Sequence, residues 1–143
     1  MNVSNRQALN YFSKIKGVET VFLSQELKFD EIMSLGGSKV KKGLVIYGMP
    51  MVMYIETGDI IDKKEGTLEN ENGDIYKVIK NERGSSEVYM MKKYNILADK
   101  RRIELLPIDE VRFDFTFENG SETEKIIERY LKTGINNAED YAP

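Results

Sequence analysis

Apolar residues recur along this chain with two different periods, and the switches between them lay out its elements. From Asn2 to Lys16, Ala8, Leu9, Tyr11, Phe12 and Ile15 fall on one helical stripe that Gly17 ends, with Ser4 as the expected N-cap. Val18, Thr20, Val21, Phe22 and Leu23 then make a short β-branched and apolar run ending at Ser24, the pattern of a strand buried on both faces. Phe29, Ile32, Met33 and Leu35 return to helical spacing behind Asp30, until Gly36-Gly37 stops them. After the basic linker Lys39 to Lys42, the run Gly43 to Gly48 predicts a second buried strand. Helix, strand, helix, strand with connections of a few residues is the order of a parallel α/β sheet.

The pattern changes at Pro50. Thr67 to Glu69, Ile75 to Ile79 and Glu87 to Met91 read as antiparallel strands around turns at Asn72-Gly73 and Arg83-Gly84, a β-hairpin insert spanning 63–92. Asn95, Ile96 and Leu97 and the basic trio Lys100, Arg101 and Arg102 lead to Leu105-Leu106-Pro107. Val111, Phe113, Phe115 and Phe117 then alternate with Arg112, Asp114, Thr116 and Glu118, and Ser121 opens an amphipathic helix carrying Ile126, Ile127, Tyr130 and Leu131. A third strand-then-helix step closes the expected domain, with Asn136 to Pro143 as a frayed tail.

A chain of 143 residues, 41% hydrophobic and 31% charged with three prolines, is expected to fold as a single domain around a true core. Its formal charge of −3 gives no global cationic field for nucleic acid or anionic membranes. Zero cysteine and zero histidine remove thiol catalysis, Fe–S ligation and zinc sites built on those residues, leaving Asp, Glu, Lys, Tyr, Ser and Thr for any chemistry. No stretch reaches the ~18–20 apolar residues of a membrane span, so a cytoplasmic protein without cofactor or membrane partner is the expectation.

Three segments in fixed order carry a resemblance. They are Gly17-Val18-Glu19-Thr20-Val21-Phe22-Leu23-Ser24-Gln25-Glu26-Leu27 with Asp30-Glu31-Ile32, then Val45-Ile46-Tyr47-Gly48-Met49-Pro50-Met51-Val52-Met53, then Val111-Arg112-Phe113-Asp114-Phe115-Thr116. Together, across about Ala8 to Gly134, they resemble the C-terminal part of the collagenase-like proteases, the unassigned peptidase family thirty-two. The resemblance implies an α/β fold that is a partial, half TIM-like β/α barrel carrying the hairpin insert; a complete barrel takes ~250 residues, so a fragment of a larger barrel is expected. It further implies a peptide or protein substrate and a hydrolase, incomplete as a catalyst on its own. Some relatives instead modify RNA bases or quinone precursors. Many members have cysteines after the His-Gly or Tyr-Gly motif that hold an iron–sulfur cluster; Tyr54 to Asp59 contains none, and Met49 replaces a frequent basic residue.

The candidate ligand-binding residues are Ser24, Glu26, Tyr47, Gly48, Arg112 and Asp114; no catalytic residue is assigned. Ser24, Glu26 and Tyr47-Gly48 fall at the C-terminal ends of expected parallel strands, where barrel enzymes place their sites. The alternatives are structural: Ser24 capping the next helix with Glu26 near its N-terminal dipole, and Tyr47 as a packed phenol. Arg112 and Asp114 should point away from the alternating phenylalanines, as a buried pair that either clamps a substrate or neutralises itself. Glu56, Asp59 and Asp62 form an acidic cluster, read as a solvated loop before a cation site. Lys100, Arg101, Arg102, Lys92 and Lys93 with Tyr89 and Tyr94 make a weak case for RNA. Methionines 49, 51, 53, 90 and 91 are expected as core fillers. The competing reading is a non-catalytic binding or assembly module that uses Thr67 to Met91, with self-association as a homodimer to cover open strand edges.

Overall fold

A computed structural model describes residues 3–56 and 60–132. Among them the fold is mixed α/β, with eight strands in two sheets and four helices. The chain clusters into two compact units: one from residues 3–47 and 95–132, the other Gly48–Tyr94. The insert expected at 63–92 is therefore a unit in its own right and begins at Gly48.

The first unit contains α1 (Arg6–Phe12), β1 (Thr20–Phe22), α2 (Phe29–Ser34) and β2 (Lys41–Gly48, whose last residue opens the second unit). After the second unit come a short 3-10 turn (Leu97–Asp99), α3 (Lys100–Glu104) and two further elements, introduced below as β8 and α4. Asn5, rather than Ser4, caps α1: its Oδ1 accepts from the Ala8 N–H at 2.8 Å. Either side chain suits the position, and the choice falls to the residue whose side chain reaches an orphan N–H of the first turn. Glu31 does the same for α2, accepting from the Lys28 N–H at 2.7 Å.

β1 and β2 are parallel, with Thr20 opposite Lys41 and Phe22 opposite Gly43. On the far side of this pair Val3 bridges Leu23 in parallel, and the Ser24 N–H donates to the Val3 carbonyl at 2.9 Å. β8 (Glu110–Asp114) also pairs with β2. Its leading residue Asp109 exchanges bonds with Lys42 at 2.8 Å each, and Phe115 just beyond it lies 5.7 Å from the Tyr47 ring, so β8 runs in the direction of β2. The two-residue β7 (Tyr94–Asn95) pairs with β2 as well. Val3, β1 and β2 thus follow one another in sequence and in space, and β7 and β8 both pair with β2. Among the described residues no closed barrel is formed.

Strand alternation separates the faces of this sheet. Val21, Leu23, Leu44 and Ile46 join Leu9, Ile32, Leu97, Ile103 and Leu106 in one buried cluster, with Phe113, Ile126 and Tyr130 packed against it. Burying each such side chain stabilises by roughly 1.5–3 kcal/mol. Lys42 shares their parity and is buried; its ammonium donates to the Gly36 carbonyl just past the end of α2, where a cation is favoured. α4 (Gly120–Lys132) begins with a reciprocal pair: Asn119 Oδ1 accepts from the Glu122 N–H at 3.0 Å and Glu122 Oε2 accepts from the Asn119 N–H at 2.8 Å. Tyr130 of α4 meets Phe113 edge-on at 5.4 Å, and burial together with the nearby Glu104 charge raises its phenol pKa.

The second unit is a four-stranded antiparallel sheet in the order β3 (Met51–Ile55), β6 (Ser86–Met90), β5 (Ile75–Lys80), β4 (Glu65–Glu69). The strand β3 has no counterpart in the sequence reading: Met51 and Met53 lack the β-branched or aromatic character that marks Val18 to Leu23 and Val45 to Tyr47 as strands. Two turns of the same build join the other strands. In Asn70-Glu71-Asn72-Gly73-Asp74, Asn70 Oδ1 accepts from the Asn72 and Asp74 N–H groups, both at 2.9 Å; in Asn81-Glu82-Arg83-Gly84-Ser85, Asn81 Oδ1 accepts from the Arg83 and Ser85 N–H groups at 3.0 and 3.1 Å. Gly73 and Gly84 take φ of 82° and 80°, a region that glycine enters without a steric penalty. The sheet's own buried apolar side chains are few, Val78 and Val88. Met49 is buried, as expected of a core filler, whereas Met51, Met53 and Met91 stand about half exposed.

The expected tail, 136–143, lies outside the described residues.

Candidate functional site

The C-terminal ends of β1, β2 and β8 carry the sequence-predicted residues of the first unit. Ser24 follows Leu23 and is buried; its Oγ accepts from the Glu26 N–H at 3.2 Å and its carbonyl from the Leu27 N–H at 3.3 Å. Ser24 thereby shapes the turn leaving β1 and does not cap α2, whose cap position is Lys28. Glu26 is exposed on that turn, and the acidic residues in the first turn of α2 are Asp30 and Glu31. The β1–β2 register extended past Phe22 and Gly43 sets Ser24 beside Val45, two residues or ~6.6 Å short of Tyr47.

Tyr47 is buried at the end of β2. Its hydroxyl donates to Glu118 Oε1 at 2.8 Å, while Glu118 Oε2 accepts from the Thr116 and Phe117 N–H groups, both at 3.2 Å. The Tyr47 ring tilts against Phe115 at 5.7 Å, which in turn stacks on Phe113 at 5.7 Å. The loop from β8 to α4 therefore delivers a carboxylate onto the phenol at the end of β2. Gly48, the last residue of β2, has φ of 155°, which side chains with a Cβ rarely adopt.

Glu118 was no candidate from the sequence. It counted only as one polar member of the alternation Phe113, Phe115, Phe117; since β8 stops at Asp114, that alternation does not persist and Glu118 belongs to a loop. The available signal was its position between a strand end and the Asn119-Gly120-Ser121-Glu122 helix start.

Arg112 and Asp114 do form a pair, with Arg112 Nε to Asp114 Oδ1 at 2.6 Å and Nη2 to Oδ2 at 2.8 Å. The expectation of burial is corrected: their side chains are 47% and 38% exposed. The Arg112 guanidinium lies over the Phe22 ring at 4.3 Å. Gly43 makes room for that ring, since a Cβ there would run into it, coming within 2.7 Å of Cδ1. Gly43, Phe22, Arg112 and Asp114 are thus one assembly on the face away from the core.

Among the described residues no three acidic side chains gather as a metal site. Of the acidic cluster, Asp59 lies outside the described residues. The basic residues divide between the units: Lys100 donates to the Leu131 carbonyl at 3.2 Å and sits 5.1 Å from the Tyr130 ring centre, and Arg102 lies 4.2 Å over Phe29. Tyr89, in the second unit, donates to Glu87 Oε2 at 2.7 Å; burial, then that bond and the Glu87 charge, push its phenol up to about 12. No helix among the described residues is long and apolar enough to cross a membrane.

No protein-family model, curated protein or solved structure matches the chain. The geometry must carry the functional reading. The phenol and carboxylate at the end of β2 are a pre-set hydrogen-bonding pair in an aromatic wall, suited to orienting a polar group of a ligand. With both Glu118 oxygens already accepting bonds, the pair is better suited to positioning than to nucleophilic attack.

Proposed function

We propose that the first unit is part of the wall of a β/α barrel of the collagenase-like peptidase kind, and that its strand ends present Tyr47 and Glu118 to a peptide or protein substrate. The supporting observation is that Val3, β1 and β2 neighbour one another in sequence order with α1 and α2 between them, and that β8, followed by α4, also pairs with β2. The peptide class comes from the family resemblance of the three segments quoted above. In this reading the chain binds substrate and contributes no nucleophile of its own.

Binding of a fluorescent peptide library to the intact chain, followed by hydrolysis of quenched peptides, tests the reading. Binding weakened about tenfold by Tyr47→Phe or Glu118→Gln, at unchanged circular dichroism, is the expected result. Absence of peptide binding, or binding indifferent to both substitutions, would overturn it. The second reading, a non-catalytic assembly module, is favoured by the half-exposed apolar strand Met51–Ile55 of the second unit.

A further inference from the structure

The two edges of the second unit's sheet are finished differently. β4, on one edge, reads Glu65-Gly66-Thr67-Leu68-Glu69; Lys77 reaches Glu65 at 3.1 Å. β3, on the other, reads Met51-Val52-Met53-Tyr54-Ile55, carries no charge and, among the described residues, pairs with β6 alone. Its first four side chains are 46–55% exposed, on both faces of the strand. A free edge offers a row of unpaired N–H and C=O groups to any strand that comes alongside, and charged residues are a common means of preventing that. β4 has them and β3 does not.

We propose that the free edge of β3 pairs antiparallel with β3 of a second copy of this chain, joining two four-stranded sheets about a twofold axis. The lack of charge favours a second copy as the occupant. In a twofold pair each side chain near the axis faces its own kind, so a charged strand would oppose itself, whereas every antiparallel register within Met51–Ile55 sets apolar opposite apolar. The surrounding surface agrees. Val52 and Met53 form one side of an open groove of about 430 Å³ that continues over Leu68, Tyr76, Val88 and Met90, so the incoming strand extends an apolar face already present. The register shift between Met51 and Met53 brings Val52 and Met53 onto this groove, leaving Met53–Ile55 as the regular stretch for pairing.

Four half-exposed side chains fall short of the ~800 Å² per partner of a standard interface, so the dimer is expected to be reversible and concentration-dependent. Sedimentation equilibrium of the full chain from about 1 μM to about 1 mM should show monomer passing to dimer. Tyr54→Lys should weaken the dimer at least about tenfold by setting like charges near the axis, and Thr67→Lys on β4 should leave it unchanged. Because the chain has no cysteine, Tyr54→Cys provides a second readout that does not depend on the lysine variant folding: oxidation should link two copies through this position, and Thr67→Cys should not. A monomer across the whole range overturns the proposal and leaves the edge to a strand of another protein. So does a dimer that survives Tyr54→Lys and crosslinks through Thr67→Cys instead.

Discussion

The two units reach stability by opposite routes. In the first, residues far apart in the chain, among them Val3, Leu9, Ile46 and Ile103, share one buried cluster, and the strands that meet are separated by helices. In the second, three of the four strands are joined in succession by short turns, and only Val78 and Val88 are buried apolar members of the sheet. A parallel sheet needs a crossover for each pairing and so a covering layer that buries both. An antiparallel meander can form from tight turns and ladder hydrogen bonds, and it leaves apolar side chains in the open. The same difference decides where each unit has chemistry to offer: at converging strand ends in the first, along an edge in the second.

Core truncation should separate the units most sharply. Ile46→Ala, at a fully buried position, is expected to cost ~2–5 kcal/mol, read by urea titration followed by circular dichroism. Val78→Ala removes two buried methyl groups at ~0.8 kcal/mol each; a cost equal to that of Ile46→Ala would show that the second unit leans on a core as heavily as the first. Next in size, Gly43→Ala must displace the Phe22 ring and with it Arg112, at ~1–3 kcal/mol, whereas Gly37→Ala, with open space around its Cβ, should cost well under that in the same titration.

The twin turns sharpen the second unit's side of the contrast. Asn70→Ala and Asn81→Ala each strip the acceptor from two backbone N–H groups, and each should cost ~1 kcal/mol, with the loss confined to amide protection in the adjoining hairpin by hydrogen exchange. Widespread loss of protection after either change would contradict a locally held meander. The smallest effect is alkaline. Tyr89 has its phenol pushed up to about 12 from the ordinary ~10, so the neutral form is favoured by folding; that contribution is full below pH ~10 and disappears as pH rises through about 12. Tyr89→Phe should flatten this part of the pH–stability curve, and an unchanged curve would mean that neither the burial of Tyr89 nor its Glu87 contact persists in solution.

Most of the first unit's elements were legible because their signals are local. The stripe from Ala8 to Ile15, the run Val18 to Leu23 and the glycine pair after Leu35 each predict an element from its own residues, and the errors lie at the ends, up to four residues where α1 stops at Phe12 and β8 at Asp114. β3 was illegible because its methionines carry little strand preference of their own. The candidate site was half legible: parallel topology directs attention to Ser24 and Tyr47 at strand ends, yet Ser24 turns out to hold a turn and Tyr47 to find Glu118, 71 residues away. Arg112 and Asp114 were correctly placed on one face by alternation, but alternation carries no information on what covers that face.

Period, turn chemistry and composition are properties of neighbouring residues, and they alone determined that the chain is mixed α/β, interrupted by an antiparallel insert, and without thiol or imidazole chemistry. The pairing of Tyr47 with Glu118, the room that Gly43 leaves for Phe22, the exposure of the Arg112–Asp114 pair and the bare edge at β3 were decided by tertiary structure. Each depends on which distant segments come together and which side of a sheet stays uncovered, and those are fixed only when packing chooses among arrangements that the local signals leave equivalent.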